Sequence, residues 1–268
     1  MHYDGSTMVV VESAATGAAV SRPFSGKVAI VTGGTRGIGA AITVELARLG
    51  AHVAAGFNRD GESAIRLRDE LSGQGASISI HQGNVGEPDD CNRVVAEVLG
   101  NQGHVDFLVN NAGITIDKTV RKMSVKDWQD VMRINVSGAF YMVKAVLDHM
   151  LERGSGRIVN VSSVIGQTGN IGQANYAASK AAMLGLTQSL ALETARKGIT
   201  VNCVAPGFIE TEMVAAIPQP ILDGIIEKVP LRRLGRPDEV ARVVRFLLED
   251  ESSYITGAIY TVNGGMFT

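Results

Sequence analysis

Tyr176 and Lys180 lie four residues apart, a spacing that on a helix sets both side chains on one face. A phenol with an ordinary pKa of about 10 is a poor acid-base group near neutrality, and a neighbouring ammonium lowers it by stabilising the phenolate. Tyr176 is the expected proton donor and Lys180 the expected tuning charge. Such a pair also arises by chance, so its context matters. Ser163 stands at the carboxyl end of a predicted strand, and a short glycine-containing loop separates it from Tyr176. Its hydroxyl would hydrogen-bond a carbonyl oxygen and stabilise the alkoxide that develops as hydride reaches carbon. A hydrolase is the rival reading of a serine, but no Gly-x-Ser-x-Gly elbow occurs and no nearby motif gives Ser163 a histidine partner.

A second cluster is the run Thr32-Gly33-Gly34-Thr35-Arg36-Gly37-Ile38-Gly39, which joins a predicted strand to an amphipathic helix. Glycines there let the backbone approach a pyrophosphate, and the helix N-terminus offers free amides and positive potential. The spacing is G-x-x-x-G-x-G, not the commoner G-x-G-x-x-G. Where the next strand ends, an acid would accept from a ribose 2′-hydroxyl and repel a 2′-phosphate. Phe57 stands there, while Asn58, Arg59 and Arg36 offer donors to a phosphate, so NADP(H) is the expected cofactor. Asp60 is the opposing feature, since a shift of the loop would bring it inward and favour NAD.

The elements that must position these groups follow from periodicity. From Lys27 onward, β-branched runs alternate with helical patterns, which predicts βαβ units. The predicted strands are Val28–Thr32, His52–Phe57, Ser77–Gln82, Phe107–Asn110, Gly156–Ser162, Thr200–Val204 and Ala258–Val262. Together they make an α/β, doubly wound, Rossmann-like domain whose seven-stranded parallel sheet is flanked by helices, with ligands at the strands' carboxyl ends. A helix is predicted over Ser124–Glu152, opened by a capping box of Ser124 and Asp127. Another, over Gln173–Lys197, carries small or apolar residues on several faces, which reads either as burial deep in one core or, the favoured reading, as contact with another subunit in a homotetramer.

Composition limits the alternatives. The chain has 268 residues, 45% apolar content and a formal charge of -2 from interspersed acids and bases, so it reads as one domain without a stripe for nucleic acid or an anionic membrane. Cys91 and Cys203 stand far apart in no metal-ligand spacing and read as buried reduced thiols; no metal is expected. No membrane span or signal-peptide pattern appears, so a cytoplasmic location is the expectation. Residues 1–26 read as a flexible arm, residues 27–268 as the folded domain, and about 208–229, apolar but punctuated by Pro218 and Pro220, as a substrate lid or equally a static cover.

From Lys27 to its end the chain resembles the short-chain dehydrogenase/reductase family. The matching pieces are Thr32 to Gly39, Asn110-Asn111-Ala112-Gly113, Asn135, Ser163, Tyr176-Ala177-Ala178-Ser179-Lys180 and Pro206-Gly207. The resemblance implies a tetrad of Asn135, Ser163, Tyr176 and Lys180, with Asn135 holding a water that links Lys180 to solvent. It further implies that Lys180 binds the nicotinamide ribose, that Asn84-Val85 and Asn111 flank the adenosine half, and that Ile209 and Thr211 meet the nicotinamide carboxamide. Asn84 departs from the family's usual Asp. Within the family the chain is similar to acetoacetyl-CoA reductases and 3-oxoacyl-acyl-carrier-protein reductases. Tyr254-Ile255-Thr256-Gly257 looks like the carrier-protein group, whereas Arg121-Lys122-Met123 and Leu222 to Pro237 look like the CoA group.

The substrate implied is an acyl thioester on CoA, the favoured carrier, or on acyl-carrier protein. Gln167, Asn170 and above all Gln173 carry amides suited to orienting the thioester carbonyl. Arg153, Arg157, Arg196 and Lys197 would meet an acidic carrier or CoA phosphates, or else complement helix dipoles. A reductase of another ketone class and a non-catalytic NADP-binding regulator are the remaining alternatives; the intact tetrad speaks against the regulator.

Overall fold

Short apolar runs that lack polar alternation can only be satisfied by burial on both faces, and the sheet at the centre of the molecule provides it. The computed structural model describes residues 22–215 and 217–267. Its strands are β1 (Val28–Val31), β2 (His52–Phe57), β3 (Ile78–Gln82), β4 (Phe107–Asn110), β5 (Gly156–Val161), β6 (Ile199–Pro206) and β7 (Ile259–Val262). Between them run α1 (Gly37–Arg48), α2 (Gly61–Gly73), α3 (Pro88–Gln102), α4 (Val125–Met132), α5 (Gly138–Arg153), the short α6 (Ile165–Thr168), α7 (Ala174–Thr194), α8 (Glu212–Ala215), α9 (Gln219–Lys228) and α10 (Pro237–Leu248). The sheet order is β3-β2-β1-β4-β5-β6-β7, every pairing is parallel, and the expected seven-stranded doubly wound architecture is present.

Two apolar layers hold the sheet. On one face Ile42 and Leu46 of α1 pack with Val240, Val244 and Leu247 of α10; on the other Val95 and Val98 of α3 pack with Met142, Val146 and Met150 of α5. Cys91 and Cys203 are buried free thiols within this packing, as their isolation in the sequence suggests.

The strand order reverses between β1 and β4, and the chain leaves those two strands toward opposite sides of the sheet. A crevice at their carboxyl ends follows from that reversal. The loop from β1 into α1 faces it and is closed tightly: a Cβ on Gly39 would lie 2.0 Å from the Gly33 carbonyl oxygen, and Gly37 has φ +53°, in the left-handed region.

Several boundaries differ from the sequence expectation. Residues 1–21 of the expected arm lie outside the described residues. Arg22–Gly26 do not behave as an arm: Phe24 is buried against Phe107, ring centroids 5.2 Å apart, and its N–H donates to the Leu49 carbonyl. An isolated apolar residue beside a proline carries no periodicity, which hid its core role. The helix expected over Ser124–Glu152 is broken into α4 and α5 by a π-helical turn, Arg133–Ser137. Its capping box is present, with Asp127 N–H on Ser124 Oγ and Ser124 N–H on Asp127 Oδ2. The Gln173–Lys197 helix ends at Thr194 and tightens into a 3₁₀ turn over Ala195–Lys197.

The glycine contacts yield a paired prediction. Gly39→Ala should lower the urea midpoint by the equivalent of about 1–3 kcal/mol, as overpacking does. Gly100→Ala, in α3 with nothing within 4 Å of the added Cβ, should raise stability by about 0.5–1 kcal/mol. Equal effects at the two positions would contradict the close approach at Gly39.

Candidate active site

The crevice is held open by a strut between β1 and β4. Thr32 Oγ1 accepts the backbone N–H groups of Asn111 and Ala112, both at 3.0 Å, while Asn111 Nδ2 donates to the carbonyls of Thr32 and Gly33. Asn111, expected beside the adenosine, thus spends its amide on the glycine loop. That loop is also tied to β2 through Gly34 N–H on the Gly56 carbonyl and to α1 through the Thr43 hydroxyl on the Gly34 carbonyl. Thr35 is buried beneath it, Ile38 partly so, and Arg36 projects outward.

Arg36 caps α1 in an extended conformation, no side chain bonds the first amides, and the first turn contains no acid. This is an anion-binding end in waiting. At the end of β2, Asn58 and Arg59 are exposed. Asp60 is engaged elsewhere: it is the N-cap of α2, its Oδ1 accepts the Ser63 N–H at 3.0 Å, and that bond holds its carboxyl below the usual range. The donor set, the empty first turn of α1 and the absence of an available acid on β2 fit a nicotinamide dinucleotide. Thr211, just before α8, has its methyl 3.4 Å from where a Cβ on Gly37 would stand. Pro206 ends β6, Gly207 packs against Asn263, and Ile209 is buried beside Gly235.

The four expected catalytic residues come together at the carboxyl ends of β4 and β5. A Cβ on Gly113 would stand 3.3 Å from Asn135 Oδ1 and 3.4 Å from Lys180 Nζ, so the Asn-Ala-Gly turn after β4 separates these two groups by the width of one missing side chain. Ser163 is buried, its Oγ accepts the Ile165 N–H at 3.2 Å, and its hydroxyl acts on the Tyr176 phenol in the direction that lowers its pKa. Lys180 Nζ donates to the Val161 carbonyl at 2.8 Å and lies 5.7 Å from the centre of the Tyr176 ring.

Asn135 sits in the π-helical turn. Its Oδ1 accepts the Ile114 N–H at 2.8 Å, and its Nδ2 donates to the Ile114 carbonyl and to Ser179 Oγ, each at 3.0 Å. Ser179 then donates to the Tyr176 carbonyl at 2.7 Å, which ties the turn to α7. The sequence reading did not single out Ser179; its fixed place one residue before Lys180 in a buried helix was the available signal.

The electrostatics correct one expectation. Burial pushes the Tyr176 phenol up, Ser163 draws it partly back by hydrogen bonding, and the Asp117 carboxylate pushes it up further. Burial pushes the Lys180 ammonium down to about 8, opposed by Cys203. The net direction for the phenol is therefore up, set by burial, while the Lys180 ammonium is turned to the Val161 carbonyl.

The substrate loop also differs in detail. Gln173 Nε2 donates to Asp117 Oδ2 and its Oε1 accepts from Asn170 Nδ2, both at 2.9 Å, so both ends of the expected thioester ligand are engaged. Asn170 keeps its oxygen free of those bonds, Gln167 Oε1 is buried with no hydrogen-bond partner, and Asp117 enters the site unforeseen.

The depressed lysine predicts a pH dependence. Its folded pKa lies below the ordinary 10.5, so the unfolded chain binds the proton more tightly and folding is favoured increasingly as pH rises from about 8 toward 10. The stability difference between the wild type and Lys180→Met should accordingly move toward the wild type across that window in urea titrations. A pH-independent difference would rule out the depressed pKa.

Comparison with known proteins agrees with this geometry. A family model described as short chain dehydrogenase matches residues 27–221. The acetoacetyl-CoA reductase of Shinella zoogloeoides is 46% identical over 242 residues, 90% of this chain and 98% of that one. The acetoacetyl-CoA reductase of Allochromatium vinosum is 44% identical over the same lengths. The 3-oxoacyl-(acyl-carrier-protein) reductase FabG of Escherichia coli K12 is 45% identical over 244 residues, 91% of this chain and 98% of that one. The glycine loop at the β1–α1 turn, the tetrad geometry and these matches together make the chain a member of the short chain dehydrogenase family, an oxidoreductase acting between an alcohol and a carbonyl.

Proposed function

We propose that the protein reduces a 3-oxoacyl thioester, acetoacetyl-CoA in the first place, to the (R)-3-hydroxyacyl thioester with NADPH. The observation that carries the reading is the meeting of Ser163, Tyr176, Lys180 and Asn135 at the carboxyl ends of β4 and β5, with Gly113 between Asn135 and Lys180 and the uncapped N-terminus of α1 on the same sheet edge. Bound NADPH supplies hydride to the ketone carbon. Ser163 donates a hydrogen bond to the ketone oxygen as negative charge develops there. Tyr176, kept protonated by burial, gives that oxygen its proton. Lys180 keeps its Val161 contact and faces the phenol ring, placed to return charge to the site when the phenolate forms. The family role of Asn135, a water bridge toward Lys180, suits its place across Gly113.

The phosphate on the ribose is favoured by Arg36, Asn58 and Arg59 and by the capping duty of Asp60. CoA is favoured over an acidic carrier protein, which needs a broad basic face, because two of the four cations are engaged within the fold. Arg157 is buried on the Gly156 and Gly198 carbonyls, and the exposed Arg153 pairs with the buried Asp106, which leaves Arg196 and Lys197 as the exposed pair for docking. The second reading, a 3-oxoacyl-acyl-carrier-protein reductase, is supported by the similarity to the FabG enzyme and by that exposed pair.

We take the outward face of α7, where Leu192 is 85% exposed, together with Phe140 of α5 at 46%, as a subunit contact of a homotetramer. No helix among the described residues is long and apolar enough to cross a membrane.

NADPH oxidation followed by absorbance should be faster with acetoacetyl-CoA than with the acetoacetyl carrier protein, and Tyr176→Phe should lower kcat by about 10²–10⁴-fold. No oxidation with either thioester would sink the substrate reading; full activity of Tyr176→Phe would sink the proton-donor role. Light scattering should give four chains per particle, and Leu192→Glu should shift that mass downward.

A further inference from the structure

The turn after β3 holds a side chain whose hydrogen-bonding sense the structure fixes. The pyrophosphate belongs at the N-terminus of α1 and its ribose at the end of β2, so the base, one unit further out, falls on the neighbouring edge strand β3. Register supports this: Phe57 pairs with Gln82, the Gly83 N–H donates to the Phe57 carbonyl at 2.9 Å, and Gln82 Nε2 donates to the Asn58 carbonyl, so the turn that begins at Gly83 lies alongside the end of β2.

Asn84 is pinned at three atoms. Its N–H donates to Asp90 Oδ2 at 2.8 Å, its carbonyl accepts the Glu87 N–H at 2.9 Å, and its Oδ1 accepts the Gly86 N–H at 3.0 Å. Asp90 is itself held by Arg93, which also donates to the Gln82 carbonyl. A backbone N–H can only donate, so the side-chain atom facing it must be the oxygen, and the usual ambiguity between amide oxygen and nitrogen does not arise. The end left to face a ligand is the Nδ2 donor, on a partly exposed residue.

An aspartate in this turn would spend one oxygen on Gly86 and offer the other as an acceptor to the 6-amino group of adenine. Asn84 offers a donor at that point. A donor gains nothing against an amino group and must find the ring nitrogen instead, whereas the 6-oxo group of hypoxanthine is an acceptor. We infer that Asn84 reads the cofactor's base as a donor, so that the protein binds a hypoxanthine dinucleotide nearly as well as the adenine one. The inference rests on the dinucleotide reading above and adds a specificity that the reading does not require.

The test is direct binding without substrate. The protein is titrated with NADPH and with reduced nicotinamide hypoxanthine dinucleotide phosphate, following nicotinamide fluorescence, and with the same two compounds lacking the 2′-phosphate. The dissociation constants of the adenine and hypoxanthine forms should agree within about threefold, and Asn84→Asp should shift their ratio at least tenfold toward adenine, because its carboxylate faces the 6-oxo group. Wild-type binding of the hypoxanthine form more than tenfold weaker overturns the inference, as does an unchanged ratio in a folded Asn84→Asp protein. The wild-type ratio decides the matter if that variant does not fold. Failure of the wild type to bind any of the four removes the dinucleotide reading itself, a result distinct from a skewed ratio.

Discussion

The strut between Thr32 and Asn111 is the interaction on which the rest of the crevice depends. β1 and β4 are neighbours whose chains diverge, so nothing in the sheet ladder itself holds their carboxyl ends in register beyond the last backbone pair. Two short side chains supply the missing bonds, with one hydroxyl accepting two amides and one amide reaching two carbonyls. The cradle for the cofactor and the turn carrying Gly113 are thereby placed as one unit. Because Gly113 stands between Asn135 and Lys180, the strut also sets where the tetrad closes.

α7 follows an inverted rule. Its buried positions include Asn175, Ser179, Lys180, Thr187 and Thr194, while Ala181 and Leu192 face outward. Polar groups in such a place are tolerable only when paired, and each has a partner: Asn175 on the Ile116 carbonyl, Ser179 on Tyr176 and Asn135, Thr187 on the Met183 carbonyl and Asn160. Exceptions near this interior are Asn110 Oδ1, which has no partner although its Nδ2 bonds Asn160, and Gln167 Oε1. A helix built this way gains little from amphipathic burial. It is located by discrete hydrogen bonds, which is how a catalytic side chain is fixed more tightly than packing alone would fix it.

Much of this was legible in the residues. The alternation of strand and helix patterns located all seven strands to within two residues at each end, because buried parallel strands are continuous apolar runs. Tyr176, Lys180 and Ser163 could be joined from spacing and strand position, and Asn135 only through family resemblance. What stayed hidden was contact that has no local signature. The π-helical turn interrupts an otherwise regular helical pattern, Phe24 reaches the core from outside any predicted element, and Asp117 captures Gln173 across 56 positions of sequence. The sense of the pKa shifts was also beyond reach, since desolvation depends on packing that spacing does not reveal.

That reversed shift changes how the acid-base chemistry must be argued. A phenol brought near neutrality by an adjacent ammonium would be partly ionised before substrate arrives, and an ionised phenol cannot protonate an alkoxide. Burial keeps Tyr176 in the protonated form that reduction requires, and Ser163 is the group that moderates its acidity. Lys180, depressed to about 8, is still mostly charged at neutral pH but is held by a carbonyl. With Nζ 5.7 Å from the centre of the ring, its charge favours the phenolate that proton transfer leaves behind, an effect on the phenol that burial outweighs in the resting site. Oxidation of an alcohol would call for the opposite bias, a phenol already ionised. The resting, protonated Tyr176 is therefore in the form that the proton-donating step of reduction uses.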